Sequence, residues 1–231
     1  MTHTTDSRSP AVRRSHRWAV LGLALACALG TLAGCAPLVV GGAMGGTVLV
    51  ATDRRTTGMQ VEDQRIELAA ANRLREQIGE RGRVLVNSYN RRVLLTGDVA
   101  SEQEKALAEA TVARVENVAS IVNEIGVMGS PSLTQRSSDT LVTGRVKAAF
   151  VDAKDLSANA FKVTTERGTT YLMGRVTQRE ADRATEITRS IPGVQRVVRV
   201  FELISEDEWR QLQAAPRNAP ASDAQARPVK N

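Results

Sequence analysis

Two cysteines, two histidines and a scatter of carboxylates are the residues of this sequence with chemistry to offer. Cys35 ends the run Leu32-Ala33-Gly34-Cys35, the pattern at which a diacylglyceryl group is placed on a cysteine thiol before cleavage ahead of it. Small side chains at 33 and 34 let processing enzymes reach the backbone, and the thiol is the nucleophile that the lipid needs. Cys27 is a poorer match, because Ala24-Leu25-Ala26 before it lies inside an apolar run. Cys35 is therefore the expected lipidation site. His3 and His16 both precede it, so the chain beyond Cys35 has no imidazole for general-base work, metal binding or a Ser/His pair. It also keeps no free thiol. Asp63 and Asp139 recur at matching places and are expected at helix starts, where a carboxylate answers the partial positive charge of the terminus. That structural role is preferred to a catalytic one, although paired carboxylates alone could support glycoside chemistry in principle. No catalytic residue, metal site or cofactor is assigned, and an enzyme is not expected.

The segment before Cys35 explains why those histidines drop out. Arg13, Arg14 and Arg17 precede the apolar residues 18–29, and small residues lead to the cut site. This is the layout of a secretory signal peptide over residues 1–34, with an apolar run of about 12 residues, too short for the roughly 20 that span a bilayer. Arg13-Arg14 fits twin-arginine export badly. Cleavage would remove four Arg and one Asp, taking the formal charge from +6 to +3. One acylated cysteine leaves no disulfide framework. Residues 35–61 then read as a lipidated tether, rich in glycine and valine; Gly41-Gly42 and Gly45-Gly46 lack the strand–loop–helix context of a phosphate loop.

An internal repeat organises the rest. At an offset of 76, Asp63 meets Asp139, Ile66 meets Val142, Ala70 meets Val146 and Leu74 meets Phe150. Ser101-x-x-Glu104 meets Thr177-x-x-Glu180, and Ile121-Val122 meets Val197-Val198. Gly97 and Gly174 correspond once an extra residue near Ala100 is allowed. Each copy predicts a helix (62–78 and 139–152), a hairpin (84–87 with 92–96, and 161–165 with 169–173), a helix opened by a capping box, and a last strand (120–127 and 196–203). The fold class is α+β: two tandem αββαβ modules, each a three-stranded sheet with two helices on one face. The expected organisation is module 1 at 62–127, a linker at 128–138, module 2 at 139–204, and a short helix with a disordered tail at 205–231.

Gly-x-Val, a capped helix, Gly-Val and a Val-rich strand together resemble the BON domain (bacterial OsmY and nodulation). The match is most specific at Ser138-Asp139-Thr140, at Lys162-Val163-Thr164-Thr165-Glu166, and from Leu172-Met173-Gly174 through Val176-Thr177. With the cysteine motif and the tether, the chain resembles the dual-BON outer-membrane lipoproteins. That resemblance implies an outer-membrane, lipid-anchored protein facing the periplasm. It further implies that the second module binds anionic phospholipid and that the protein supports envelope integrity. Ala36, rather than an Asp, after the lipid site also resembles lipoproteins sorted outward.

One helix departs from an ordinary surface pattern. Between 141 and 153, Val142, Val146, Ala149 and Ala153 form a core stripe, while Leu141, Gly144, Ala148 and Val151 form a second stripe nearly opposite. Arg145 and Lys147 border it, with Lys154 at the end. Apolar residues rimmed by cations suit entry between anionic headgroups. The proposed phospholipid-binding residues are thus Leu141, Gly144, Arg145, Lys147, Ala148 and Val151. The alternatives are that this stripe packs against module 1, or that it meets a protein partner such as outer-membrane assembly or cell-wall machinery. The equivalent residues of module 1, Leu68, Ala71 and Arg75, are less apolar. Phe150 and Tyr171 read as packing residues, and Trp209 as packing on module 2 or touching the membrane. Arg81, Arg83, Arg91 and Arg92 read as solvated basic loops, with lipid headgroups second and nucleic acid excluded as a partner for an exported chain.

Overall fold

The computed structural model describes residues 53–214; Cys35, the signal segment, most of the tether and the tail from 215 lie outside them. Module 1 comprises α1 (Thr57–Ile78), a 3-10 turn (Gly79–Arg81), β1 (Arg83–Tyr89), β2 (Arg92–Val99), α2 (Glu102–Ala113), β3 (Ser120–Asn123) and β4 (Gly126–Val127). Module 2 repeats the order with α3 (Leu133–Asp152), a 3-10 turn (Ala158–Ala160), β5 (Phe161–Glu166), β6 (Thr169–Val176), α4 (Gln178–Ser190) and β7 (Arg196–Leu203), followed by α5 (Glu206–Ala214). In each sheet the first two strands pair antiparallel and the last returns parallel to the middle one. The expected 120–127 strand is interrupted: the Asn123 side chain accepts the Ile125 N–H at 3.2 Å while Ile125 turns into the core. Pairing resumes along β2 at Gly126.

Both first helices begin earlier than their apolar periodicity suggests. Thr56 caps α1 by accepting from the Met59 N–H at 3.1 Å, and Ser132 caps α3 by accepting from Gln135 at 3.1 Å. Half of the expected linker is therefore helix, since a good N-cap extends a helix through polar residues that carry no core signal. Asp63 and Asp139 consequently lie in the second turn, not at the helix starts, and both are buried. Their work is different from that expected. Asp63 accepts from the Asn90 N–H, the Arg91 N–H and the Ser88 hydroxyl at 2.7–2.8 Å. Asp139 accepts from the Arg167 and Gly168 N–H groups at 2.9 Å. Each carboxylate thus ties a two-residue hairpin turn, left-handed at both positions, down onto the first helix. Burial alone would raise the Asp63 pKa, but hydrogen bonds from Arg91, Ser88, Arg55 and Asn90 outweigh it and hold the pKa below the usual range.

Gly97 and Gly174 serve the same hairpins at close quarters. A Cβ on Gly97 would lie 1.9 Å from the Arg83 carbonyl oxygen, and one on Gly174 would lie 2.5 Å from that of Ala160. The following capping box is complete in module 2, where Thr177 and Glu180 exchange bonds. In module 1 Glu104 reaches the Ala100 N–H instead, the extra residue having taken the donor's place.

Alternation along the middle strands builds two kinds of core. Val93 and Leu95 of β2 join Ile66, Ala70, Leu74, Ala108 and Val112 under the helices of module 1. Leu172 and Val176 of β6 do likewise beneath Val142, Val146, Phe150 and Ala184. The intervening residues face the other way. Leu94 meets Tyr171, Met173 and Val200, with Tyr89 beside them, so the helix-free faces of the two sheets pack on each other. Helices cover the outside, giving four layers.

Polar contacts ring that joint. Arg83 pairs with Glu166 at 2.9 Å, Lys162 with Glu67, Arg167 with Asp98 at 2.8 Å, and Arg196 with Glu124 at 2.9 Å. Arg92 donates to the Phe201 carbonyl at 2.9 Å. Arg83 and Arg92 are therefore interface residues rather than solvated loop cations. Arg81 and Arg91 stay local, bonded to the carbonyls of Gln77 and Asn117. At the far end Glu208 pairs with Arg175 and holds α5 against module 2, with Trp209 half-buried.

Candidate functional site

Helix α3 lies in the outer layer of module 2, and its two stripes have separate fates. Val142, Val146 and Phe150 are buried, and the Phe150 ring packs tilted against Phe161 with centroids 5.1 Å apart. This inner face fixes the rotation of the helix and so fixes what points outward. Leu141 is 61% exposed and Val151 72% exposed. Gly144 and Ala148 between them are exposed, and nothing lies within 4 Å of the place a Gly144 Cβ would take. The stripe does not pack on module 1, which overturns that alternative: the modules join through their sheets. Arg145 is exposed, its guanidinium 3.4 Å from the Pro192 carbonyl oxygen. Lys147 is exposed on the other flank, at the rim of a groove of about 520 Å³ that it shares with Phe150, Val151, Phe161, Gln60 and Asp53. All six residues expected to bind lipid therefore lie on one accessible face, whereas Cys35 is outside the described residues.

The sequence reading missed one member of this face. Leu133 is 77% exposed and precedes Val151 by 18 residues, five full turns, so the two point the same way. Exposed apolar side chains on this face then span about 27 Å along the helix at 1.5 Å per residue, with Ser137 and Thr140 between Leu133 and Leu141. Starting the helix at 139 hid it. The available signal was Ser132, a good N-cap directly before a leucine.

Electrostatics separates α3 from its counterpart α1. Helix α1 also exposes apolar side chains, Val61 and Leu68 at 62% and 63%. Around them, however, Glu62 binds Arg65 and Asn117, and Arg65 reaches on to Glu116. The hydrogen bond from Arg65 and that from Asn117 hold the Glu62 carboxyl below its usual range. Beside α3's outer stripe the flanking charges are Arg145 and Lys147, with Asp152 at the helix end. Among the described residues no group of three or more His, Cys, Asp or Glu is placed to hold a metal, and no helix is long and apolar enough to cross a membrane.

Comparison with known proteins agrees with this architecture. The BON domain model matches residues 63–129 and 138–204, more than half of the chain. Outer membrane lipoprotein DolP of Haemophilus influenzae is 40% identical over 178 residues, covering 75% of this chain and 90% of that protein. The 21 kDa hemolysin of Actinobacillus pleuropneumoniae is 32% identical over 154 residues, 66% of this chain and 79% of its own length. Among solved structures, CdsD of the Chlamydia trachomatis type III secretion system covers 62% of this chain at 15% identity, with a TM-score of only 0.27. Two tandem module matches and the extended identity to DolP establish that the chain belongs to the BON-domain family, in its DolP-type group of two-module proteins.

Proposed function

We propose that this is an outer-membrane lipoprotein, anchored through Cys35 and facing the periplasm, whose second module binds anionic phospholipid through α3 and supports envelope integrity without catalysis. The name of its Haemophilus influenzae relative supports the location. The observation that carries the lipid reading is the outer face of α3: Leu133, Leu141 and Val151 well exposed, Gly144 open between them, and Arg145 and Lys147 on the flanks.

Magnitudes say which part of that face dominates. Burying a leucine or valine side chain yields roughly 1.5–3 kcal/mol, while each cation near an anionic surface contributes about 1 kcal/mol. The apolar stripe supplies most of the affinity, and the cations choose the lipid. Leucine lacks the interfacial preference of tryptophan, so the free module binds weakly, and the acyl anchor compensates by raising the effective concentration at the surface.

The test is co-sedimentation of the non-acylated chain with vesicles. Binding to anionic vesicles that weakens with salt, fails on neutral vesicles and is lost in Leu141→Glu supports the proposal. Equal binding to both vesicle types, or binding unaffected by Leu141→Glu, overturns it. Absence of vesicle binding together with specific capture of an assembly or cell-wall protein through the same face would establish the adaptor function instead.

A further inference from the structure

We infer that Arg54 is a positioning residue for the lipid-facing helix: its ion pair with Glu180 fixes where the tether leaves the folded body, so α3 is presented to the same membrane that holds the chain's own anchor. The inference rests on α3 being the lipid-binding face and adds the orientation in which that face is used.

Arg54 stands at the very start of the described chain, ahead of α1, yet it bonds to module 2. Its Nη1 donates to Glu180 Oε2 at 2.8 Å and to the Arg175 carbonyl at 2.9 Å, and its Nη2 donates to Glu180 Oε1 at 2.5 Å. The two side chains are only 6% and 3% exposed. A forked pair closed off from water is held in one geometry, whereas an exposed one is remade freely. Glu180 is itself fixed, because the same carboxylate accepts the Thr177 N–H that opens α4. Burial raises the Glu180 pKa, but the bonds from Arg54 and Thr177 outweigh it and hold the carboxyl below its usual range.

The neighbouring residue fastens the same point to module 1. Arg55 bonds Asp53 and Asp63 at 2.8 Å and lies over the Tyr89 ring, 4.2 Å from its centroid. Consecutive arginines thus tie this point to both modules, and Arg54 carries the tie to module 2, which bears α3. Its place matters. Asp53 and Gln60 line the groove whose other residues include Lys147, Phe150 and Val151 of α3. The chain therefore leaves the body beside the last turn of the lipid-facing stripe. Asp53 lies eighteen residues beyond Cys35, a reach of at most about 65 Å that by itself lets the body turn either way. A fixed exit favours one of those orientations.

Full-length acylated protein in anionic vesicles, carrying a fluorophore at Asp152→Cys and a quencher in the lipid phase, tests this. Strong quenching is expected, falling several-fold in Arg54→Ala, with Arg54→Lys intermediate. Because Arg54→Ala strands a buried carboxylate, a second protein, Arg54→Leu with Glu180→Gln, replaces the pair by neutral groups and leaves an amide oxygen for Thr177. It should melt near the parent and show the same loss, while its non-acylated form binds vesicles as the parent does. Unchanged quenching in the folded double variant overturns the inference. Absence of quenching in the parent itself removes the lipid-facing reading of α3, and this inference with it.

Discussion

Helices α1 and α3 occupy equivalent places in two copies of one module, and both expose apolar side chains, yet the charges beside those side chains differ. The difference lies in their neighbours. On α1, which exposes Val61 and Leu68, Arg65 links Glu62 and Glu116 in a local network that brings two carboxylates to the surface. On α3 the comparable stretch is Gly144, Ala148 and Val151 with Arg145 and Lys147 beside it. Exposure of a leucine is ordinary on a protein surface and by itself says little. What separates the copies is that the exposed apolar positions of α3 between 141 and 151 are bordered by Arg145 and Lys147, with a carboxylate, Asp152, only at the helix end. Sheet-to-sheet docking makes this possible, because it leaves both outer helix layers uncovered.

The same pair of modules differs inside. Asp63 is paired with Arg55 as well as with its turn, whereas Asp139 serves its turn and Gln135. Asp63→Ala should therefore cost about 3–5 kcal/mol, as breaking a buried ion pair does, against about 1–3 kcal/mol for Asp139→Ala. Chemical denaturation of the two variants checks the order. Next in size, Leu141→Glu should weaken binding to anionic vesicles by about 1.5–3 kcal/mol, tenfold or more, while Leu68→Glu leaves it unchanged.

Acidification should then expose the ion pairs. Asp63 and Glu180 have depressed pKa values in the folded chain, so the stability they supply is fully present above the ordinary carboxylate range near 4. It is lost as pH falls from there through the folded values. Each unit of depression contributes about 1.4 kcal/mol, and Asp63→Asn should flatten the stability curve on the acid side. Smallest of all, Lys147→Ala should weaken vesicle binding by about 1 kcal/mol, roughly fivefold, with the difference shrinking at high salt.

Much of this fold was legible because its signals are local and occur twice. The N-caps Ser101 and Thr177, the full capping box at Thr177 and Glu180, the 167–168 turn and the 196–203 strand are short-range features, and the structure keeps them. Features that depend on distant partners were not legible. Nothing near Asp139 in sequence shows that it receives N–H groups 28 and 29 residues away, nor does Arg54 advertise a carboxylate 126 residues on. The joint between sheets lies between these cases. Val93-Leu94-Leu95 and Tyr171-Leu172-Met173 are unbroken apolar runs, the mark of strands covered on both faces. The exposed stripe of α3 was legible by periodicity except at Leu133, where polar residues after the N-cap concealed an extra turn and a half of helix.

Environment-sensitive probes placed one at a time at Ser137→Cys on α3 and Asn72→Cys on α1 put the claim to the most direct trial. Both sites are exposed on the outer faces of their helices. On anionic vesicles the probe at 137 should shift to a membrane-like spectrum while that at 72 stays aqueous. Equal responses at the two positions, or a response at 72 alone, would contradict the account.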